Sequence, residues 1–323
     1  MDFRYPGSTE KKSIVLPRRS MLVLTGSARY EWSHGIAHRK IDCINGVVVQ
    51  RKRRVSLTLR KVLEKKAINL LIAPMVERDY VHKFYDRIAD HFSHTRWNVW
   101  PHVVEFLQRY TRSGSIVFDL GCGNGKYLNK LRIASDDDRE GNQHEAKAVA
   151  EVAAIGIDIC ERLVEICGKR SLNASLGDAL QVPLKSNTAD IVISIAVIHH
   201  MSTEDRRRKA MEEMIRVLAP GGHALVTAWA KTQPGNSRRK FDKHDLLIGW
   251  QMPKKYAQNN DDTDDGVEES KDGKLVFQRY CHVFEEGEIV QLLHSAAKTM
   301  NSTICIIKEY LNAGNWCVEI IKE

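Results

Sequence analysis

The sequence predicts an α/β fold: a Rossmann-like, mostly parallel sheet ending in an antiparallel hairpin, with a separate β segment in front. Three stretches predict it. Val117 to Leu128 reads as an apolar strand, a glycine turn and the start of a helix, with Gly121, Gly123 and Gly125 spaced G-x-G-x-G. Glycine takes positive φ and lets the backbone approach a ligand closely, and the helix start beyond it offers unpaired N–H groups. Such a turn marks a nucleotide-like ligand at the end of the first strand of a doubly wound sheet. Ala189 to Ala196 is a continuous apolar run opened by Asp190, the pattern of a strand covered on both faces. Thr303 to Tyr310 and Trp316 to Ile321 flank Asn312-Ala-Gly-Asn315, the signal of a closing hairpin.

With 323 residues, 43% of them hydrophobic, the chain can build one large domain or two smaller ones around a real core. No run of 18 apolar residues predicts a membrane-spanning helix, and Met-Asp-Phe-Arg-Tyr-Pro lacks the apolar centre of a signal peptide. The seven cysteines are scattered and form no C-x-x-C pair, which argues against a zinc site. An odd count without a secretory signal fits a reducing compartment. The net charge of +8 is uneven: residues 1–66 hold 16 Lys and Arg against 5 Asp and Glu, and the remainder holds 33 against 36. A basic segment of this kind is a solvated surface or a nucleic-acid contact, and charge alone does not separate the two.

Residues 1–66 are expected to be β-structure. Ser20 to Thr25 is a short apolar run, and Tyr30 to Ile36 carries an aromatic pair. Arg54 to Lys61 alternates, with Val55, Leu57 and Leu59 on one face and Arg54 and Arg60 on the other. At about 3.3 Å per residue the two arginines stand ~20 Å apart, which suits an elongated dicarboxylate or a plain polar face. Residues 67–76 read as a linker. Val81, Phe84, Tyr85, Ile88 and Phe92 then recur at helical spacing. Thr95-Arg96 ends that helix, and Pro101 suits the first turn of the next.

After the glycine turn, residues 133–152 are acidic and aperiodic and read as an insertion. It delays the next acidic strand end, Ile155-Gly-Ile-Asp158, where the carboxylate grips a ribose or caps a helix; behind this glycine turn, ribose binding is favoured. Gly177-Asp178-Ala179 precedes a proline-containing turn. The strand from Ala189 ends in Val197-Ile198-His199-His200, at the edge where parallel sheets bind ligands. Adjacent histidines on a loop seldom chelate one ion and no partners cluster near them, so substrate contact or loop packing is expected. Met211, Met214, Ile215 and Leu218 form a helical core stripe, Pro220-Gly221-Gly222 stops it, and Ala224 to Trp229 is the next strand. Residues 231–272 are low in apolar content, basic first and acidic later, and read as a flexible insertion. Ile289, Leu292, Leu293 and Ala296 predict a last helix.

Asp119-Leu-Gly-Cys-Gly-Asn-Gly125 resembles the first motif of class I S-adenosylmethionine methyltransferases. A carboxylate just before the glycines would repel a pyrophosphate but suits the amino group of a methionine moiety. The resemblance implies S-adenosylmethionine as cofactor, held by Asp119, Gly121, Gly123, Gly125, Asp158, Asp178, Ala179 and Ile195, with Asp178 at the adenine amino group. Tyr80-Val-His, Ile88-Ala-x-x-Phe92-Ser-x-Thr-Arg96, Ser194-Ile-Ala-Val-Ile-His-His200, Arg279-Tyr-x-His-Val-Phe284 and Gly314-Asn-Trp-Cys317 resemble the tRNA uridine carboxymethyl methyltransferases over most of 77–323. That likeness implies a domain over 77–323 that esterifies the carboxylate of a wobble 5-carboxymethyluridine. It also implies tRNA and a small zinc-binding activator subunit as partners, no membrane, and a cytoplasmic and nuclear location. A carboxylate is already ionised at neutral pH, so this chemistry needs alignment and a positive group rather than a base. Arg96, His199, His200 and His282 are the candidates to hold the carboxylate, and Tyr280, Trp229 and Trp316 to stack the flipped base. A small-molecule methyltransferase and a non-catalytic RNA-binding scaffold are the alternatives.

Leu16-Pro17-Arg18-Arg19-Ser20, Thr25-Gly26, Tyr30-x-Trp32-x-His34-Gly35-Ile36, Arg39-Lys40 and Arg54-x5-Arg60 resemble the end of the AlkB dioxygenase domain, in the branch represented by the eighth AlkB homologue. The likeness implies a partial β jelly roll in 1–66, His34 as an iron ligand, and Arg54 and Arg60 as 2-oxoglutarate ligands. The family's His-x-Asp iron pair lies upstream of the matching segment. One histidine cannot hold a facial triad, so Fe(II) and 2-oxoglutarate chemistry is not expected and the three residues are remnants. Met1 is expected to correspond to an internal methionine of a longer protein.

Overall fold

The structure is a computed structural model that describes residues 1–5, 11–15, 22, 32–36, 41–44, 47–50, 72–136, 152–235, 237, 239–257 and 268–323. It divides into two units, Met1–Val62 and Leu63–Glu323. In the first, β1 (Asp2–Arg4) pairs antiparallel with β2 (Lys11–Ser13) and with β3 (Ser33–Gly35). A hairpin joins β4 (Ile41–Ile44) to β5 (Val47–Gln50). Ser33–Gly35, just after Trp32, is thus extended, and His34 sits opposite Phe3 in the ladder. Val47, Val48 and Val49 stay exposed in this unit. The expected strand Arg54 to Lys61, with Arg54 and Arg60, lies outside the described residues, as does Ser20 to Thr25 apart from Leu22.

The described part of the second unit opens in helix at residue 72, where the sequence suggested a linker. Residues 72–77 are helical and run through a π-helical turn, Arg78–His82, into α1 (Lys83–Thr95). A long-range anchor explains this. The buried Glu77 carboxylate accepts from Ser202 N (2.7 Å), Ser202 Oγ (3.0 Å) and Arg206 Nε (2.7 Å) and Nη2 (2.6 Å), groups far along the chain. α1 buries Phe84, Ile88 and Ala89, as its periodicity predicts, and α2 (Pro101–Tyr110) starts on its proline.

Among the described residues, seven strands form the central sheet in the order β14-β15-β10-β9-β6-β7-β8. β6 (Ile116–Leu120), β7 (Ala153–Asp158), β8 (Ala174–Leu176), β9 (Ala189–Ile195) and β10 (Leu218–Trp229) are parallel neighbours. β14 (Ile304–Asn312) and β15 (Asn315–Lys322) form the closing hairpin, with β15 antiparallel to β10. Between strands run α3 (Lys126–Asp136), α4 (Glu161–Lys169), α5 (Glu204–Val217) and α6 (Glu288–Thr299). Met211, Met214 and Ile215 of α5 and Ile289, Leu293 and Ala296 of α6 are fully enclosed against the sheet. No described helix is long and apolar enough to cross a membrane.

Two sequence readings are corrected. The aperiodic stretch opens in helix, because α3 continues through 133–136; residues 137–151 lie outside the described set. The supposedly flexible 231–272 contains β11 (Asp245–Met252), which pairs along its whole length with β13 (Leu275–His282), flanked by β12 (Glu268–Glu269). The low average apolar content hid a period of two. Leu246, Ile248, Trp250 and Met252 alternate inward, and Trp250 and Met252 join Phe84, Leu275 and Phe277 in one apolar cluster.

Candidate functional site

The carboxyl ends of β6, β7, β9 and β10 open at one edge of the sheet, and the glycine turn follows β6 there. Gly121, Gly123 and Gly125 all have positive φ. A Cβ on Gly121 would lie 2.3 Å from Val197 Cγ2, so no side chain fits at that position. Gly121 N and Cys122 N both donate to Ile157 O (2.7 and 3.0 Å), tying the turn to β7. Asp158 accepts from Gly123 N at 2.8 Å and Cys160 N at 2.9 Å. Asp178 lies just past β8 and accepts from Leu180 N at 2.8 Å, Ala179 packs on the main core, and Ile195 ends β9. The fold therefore brings all eight sequence-predicted cofactor residues to the same edge.

Asp119 is the unusual member. It is 2% exposed, and its Oδ2 is buried without a hydrogen-bond partner. Burial, and then the nearby Asp158, raise its carboxyl to about 7. An orphaned carboxylate oxygen beside a glycine backbone fits the ammonium group of S-adenosylmethionine.

Next to this cradle is a cavity of about 540 Å³. Asn124 of the glycine turn links the two by donating to Arg96 O at 3.3 Å. Arg96, Arg239 and Arg279 line the cavity together with Trp100, Trp229 and Trp250, and among the described residues no Asp or Glu does. The guanidinium of Arg96 lies 4.8 Å from the Trp250 ring, that of Arg239 4.3 Å from Trp229, and that of Arg279 4.9 Å from Trp229. Among the described residues none of the three pairs with a carboxylate. Desolvation and the neighbouring guanidiniums hold Arg96 and Arg239 below the usual arginine range. Three uncompensated cations around an aromatic-walled space call for an anionic, planar ligand.

Arg279 is the buried member, 7% exposed. Its Nη1 donates to Tyr85 Oη at 3.0 Å, and its Nε has no hydrogen-bond partner among the described residues. Tyr85 Oη is 2.8 Å from His200 Nε2, and His200 Nδ1 is 2.9 Å from Tyr280 O. A carbonyl only accepts, so His200 Nδ1 carries the proton, Nε2 is bare, and Tyr85 donates to it. Burial and then Arg279 push His200 down to about 3, which keeps it neutral.

The histidine candidates for the positive group are thereby corrected. His199 is buried, held well below its ordinary pKa by burial and then by His200, and receives Trp229 N at 3.5 Å. His282 is already committed: burial opposes its charge, yet bonds to Asp245 Oδ1 (2.9 Å) and Glu288 Oε1 (2.8 Å) raise its pKa. Of the four candidates only Arg96 lines the cavity. Of the aromatic candidates only Trp229 does; Tyr280 donates its hydroxyl to Asp245 and Trp316 packs against the core. The expectation that no metal-ligand partner lies near His199 and His200 also fails, since the Cys281 sulfur and a nitrogen of each lie within 4.8 Å of one another. Both ring nitrogens of His200 are engaged and Arg279 adjoins, so this group is polar packing. His34 is exposed on β3, its ring 5.9 Å from Phe3.

The sequence reading missed Arg239, Arg279, Trp100 and Trp250. Arg279 opens a motif already noted, while Arg239 and Trp250 sat in the stretch read as an insertion.

A family model described as "Methyltransferase domain" matches residues 118–226. The chain is 32% identical over 434 residues to the tRNA (carboxymethyluridine(34)-5-O)-methyltransferase ALKBH8 of Macaca fascicularis, covering 100% of this chain and 61% of that protein. It is 36% identical over 245 residues to the tRNA (carboxymethyluridine(34)-5-O)-methyltransferase of Schizosaccharomyces pombe, covering 75% of this chain and 96% of that protein. The chain thus spans about three fifths of the length of the ALKBH8 relatives. Among solved structures, the CcbJ methyltransferase of Streptomyces caelestis is 12% identical over 76% of this chain and 98% of that chain, with a TM-score of 0.48.

Proposed function

This chain belongs to the tRNA (carboxymethyluridine(34)-5-O)-methyltransferase family, and from that premise we propose that it esterifies the side-chain carboxylate of a wobble 5-carboxymethyluridine in tRNA. The observation that carries the reading is the cluster of Arg96, Arg239 and Arg279 among three tryptophans, with no carboxylate among the described lining residues, beside the glycine cradle. S-adenosylmethionine, when bound, supplies the methyl group on its sulfonium. Asp119 would take the ammonium of the methionine portion on its orphaned oxygen, and Asp158 and Asp178 would contact the ribose and adenine.

The protein's work is orientation. The substrate carboxylate is ionised at neutral pH and attacks without a general base. Arg279 holds it from the buried wall, aimed by Tyr85, while Arg96 and Arg239 hold it from the exposed side. Trp229 and Trp250 give the base flat surfaces on which to stack. Alignment of this kind is worth up to about 7–11 kcal/mol in model reactions. The partners are tRNA and, on the sequence resemblance, a small zinc-binding activator subunit.

The test is to incubate the full chain, with and without that subunit, with labelled S-adenosylmethionine and hypomodified tRNA, then digest and identify the nucleoside. A base-labile methyl ester on the wobble uridine is expected. Absence of label in both mixtures, with cofactor binding intact, would overturn the reading.

A further inference from the structure

Resting on that reading, we propose that Trp97, with the Tyr256–His91–His94 group, forms an aromatic ledge around the cavity that stacks the unpaired nucleotides flanking the flipped uridine. Trp97 is 66% exposed, and it sits in the short connection between Arg96 and Trp100, both of which line the cavity. One exposed indole is unremarkable by itself. The second observation is that further rings pack in series on one lining residue, His91. Trp250 Nε1 donates to His91 Nδ1 at 3.0 Å, which fixes the imidazole of His91, itself a lining residue. Tyr256 packs on that imidazole with ring centroids 4.8 Å apart, and His94 lies 6.1 Å from the same phenol. The Lys255 ammonium stands 5.1 Å from the Tyr256 ring.

The occupant follows from chemistry. A cavity of about 540 Å³ admits one nucleoside, so a base drawn into it leaves its neighbours unstacked at the mouth. Every base has a π-face, and aromatic platforms with interleaved cations bind single-stranded nucleic acid without reading its sequence. Lys255 stands beside the Tyr256 ring and Arg96 adjoins Trp97 in the chain, and among the described residues the cavity lining holds no acid to oppose a phosphate. An unpaired loop of RNA matches both features.

The test is fluorescence anisotropy on the full chain with two labelled anticodon stem-loops, one carrying 5-carboxymethyluridine and one plain uridine. Trp97→Ala and Tyr256→Ala should each weaken binding of both loops about tenfold, the loss expected for one stacked base. Trp97→Phe should restore most of the affinity. Affinity for S-adenosylmethionine and for the free nucleoside 5-carboxymethyluridine should stay as in wild type. If wild type prefers the carboxymethylated loop but Trp97→Ala binds both loops as tightly as wild type, the ledge is refuted while the function stands. If wild type shows no preference for the carboxymethylated loop, the parent reading fails first. If Trp97→Ala weakens nucleoside binding as much as loop binding, the residue belongs to the cavity and the ledge is again refuted.

Discussion

The hydroxyl of Tyr85, on the first helix of the methyltransferase unit, accepts a 3.0 Å hydrogen bond from Arg279, 194 residues away on β13. The same hydroxyl donates to His200. The tautomer of one buried histidine therefore sets the direction of a chain of bonds that ends at a guanidinium on the cavity wall. Helix, loop and strand each contribute one member.

Arg279→Lys and Arg279→Ala should both lower kcat/KM for the carboxymethylated substrate by roughly 10- to 100-fold, the worth of a charge-assisted hydrogen bond. Lysine should not rescue, because a point charge cannot bond Tyr85 and a carboxylate in the same forked geometry. Tyr85→Phe should cause a smaller loss, mainly in kcat. Cofactor affinity, read by calorimetry, should not move.

Asp119 links cofactor binding to pH. Its carboxyl is raised from 3.8 to about 7, so the protonated form stabilises the ligand-free fold. That contribution is full below 3.8 and is lost as the pH rises through about 7. Asp119→Asn should melt close to wild type at acid pH and above it at pH near 8. Cofactor affinity of the wild type should rise across the same window as the carboxylate ionises, and Asp119→Asn should bind more weakly without that rise.

His282 has the opposite role to a substrate-binding cation. Its pKa is raised above 6.5 by Asp245 and Glu288 despite burial. The stability it contributes is full below 6.5 and is lost as the pH rises through the raised value. The gap in Tm between wild type and His282→Gln should therefore narrow as the pH is taken upward from neutrality, and esterification should persist in the variant.

Glu77 fastens the helical start of the unit to Ser202 and Arg206. Glu77→Ala strands a partly buried guanidinium and a backbone N–H, and should destabilise the unit by about 3 kcal/mol in chemical denaturation. The glycine turn is less tolerant still. Gly121→Ala combines a positive φ with a Cβ 2.3 Å from Val197, and should abolish cofactor binding even where the protein still folds.

Much of the cofactor edge was legible because its residues are local. Asp119 and the three glycines lie within seven positions, and strand ends at Asp158 and Ile195 follow from apolar runs. The substrate side was not legible. Arg96 at the end of α1, Arg239 and Arg279 are brought together only when β11 pairs with β13. The alternation in Leu246 to Met252 was the available signal, and it was masked by the charged residues on either side.

The sequence by itself determined a mostly parallel sheet with a closing hairpin, and the glycine cradle, because these are written in short-range periodicity and in backbone conformations that only glycine adopts freely; the order of the strands came from the tertiary structure. Tertiary structure decided which residues carry charge. His199 and His200 are neutral because they are buried beside Arg279, and the pKa of His282 is raised, despite burial, because two carboxylates flank it. Protonation depends on desolvation and on neighbours distant in sequence, and neither is present in a motif.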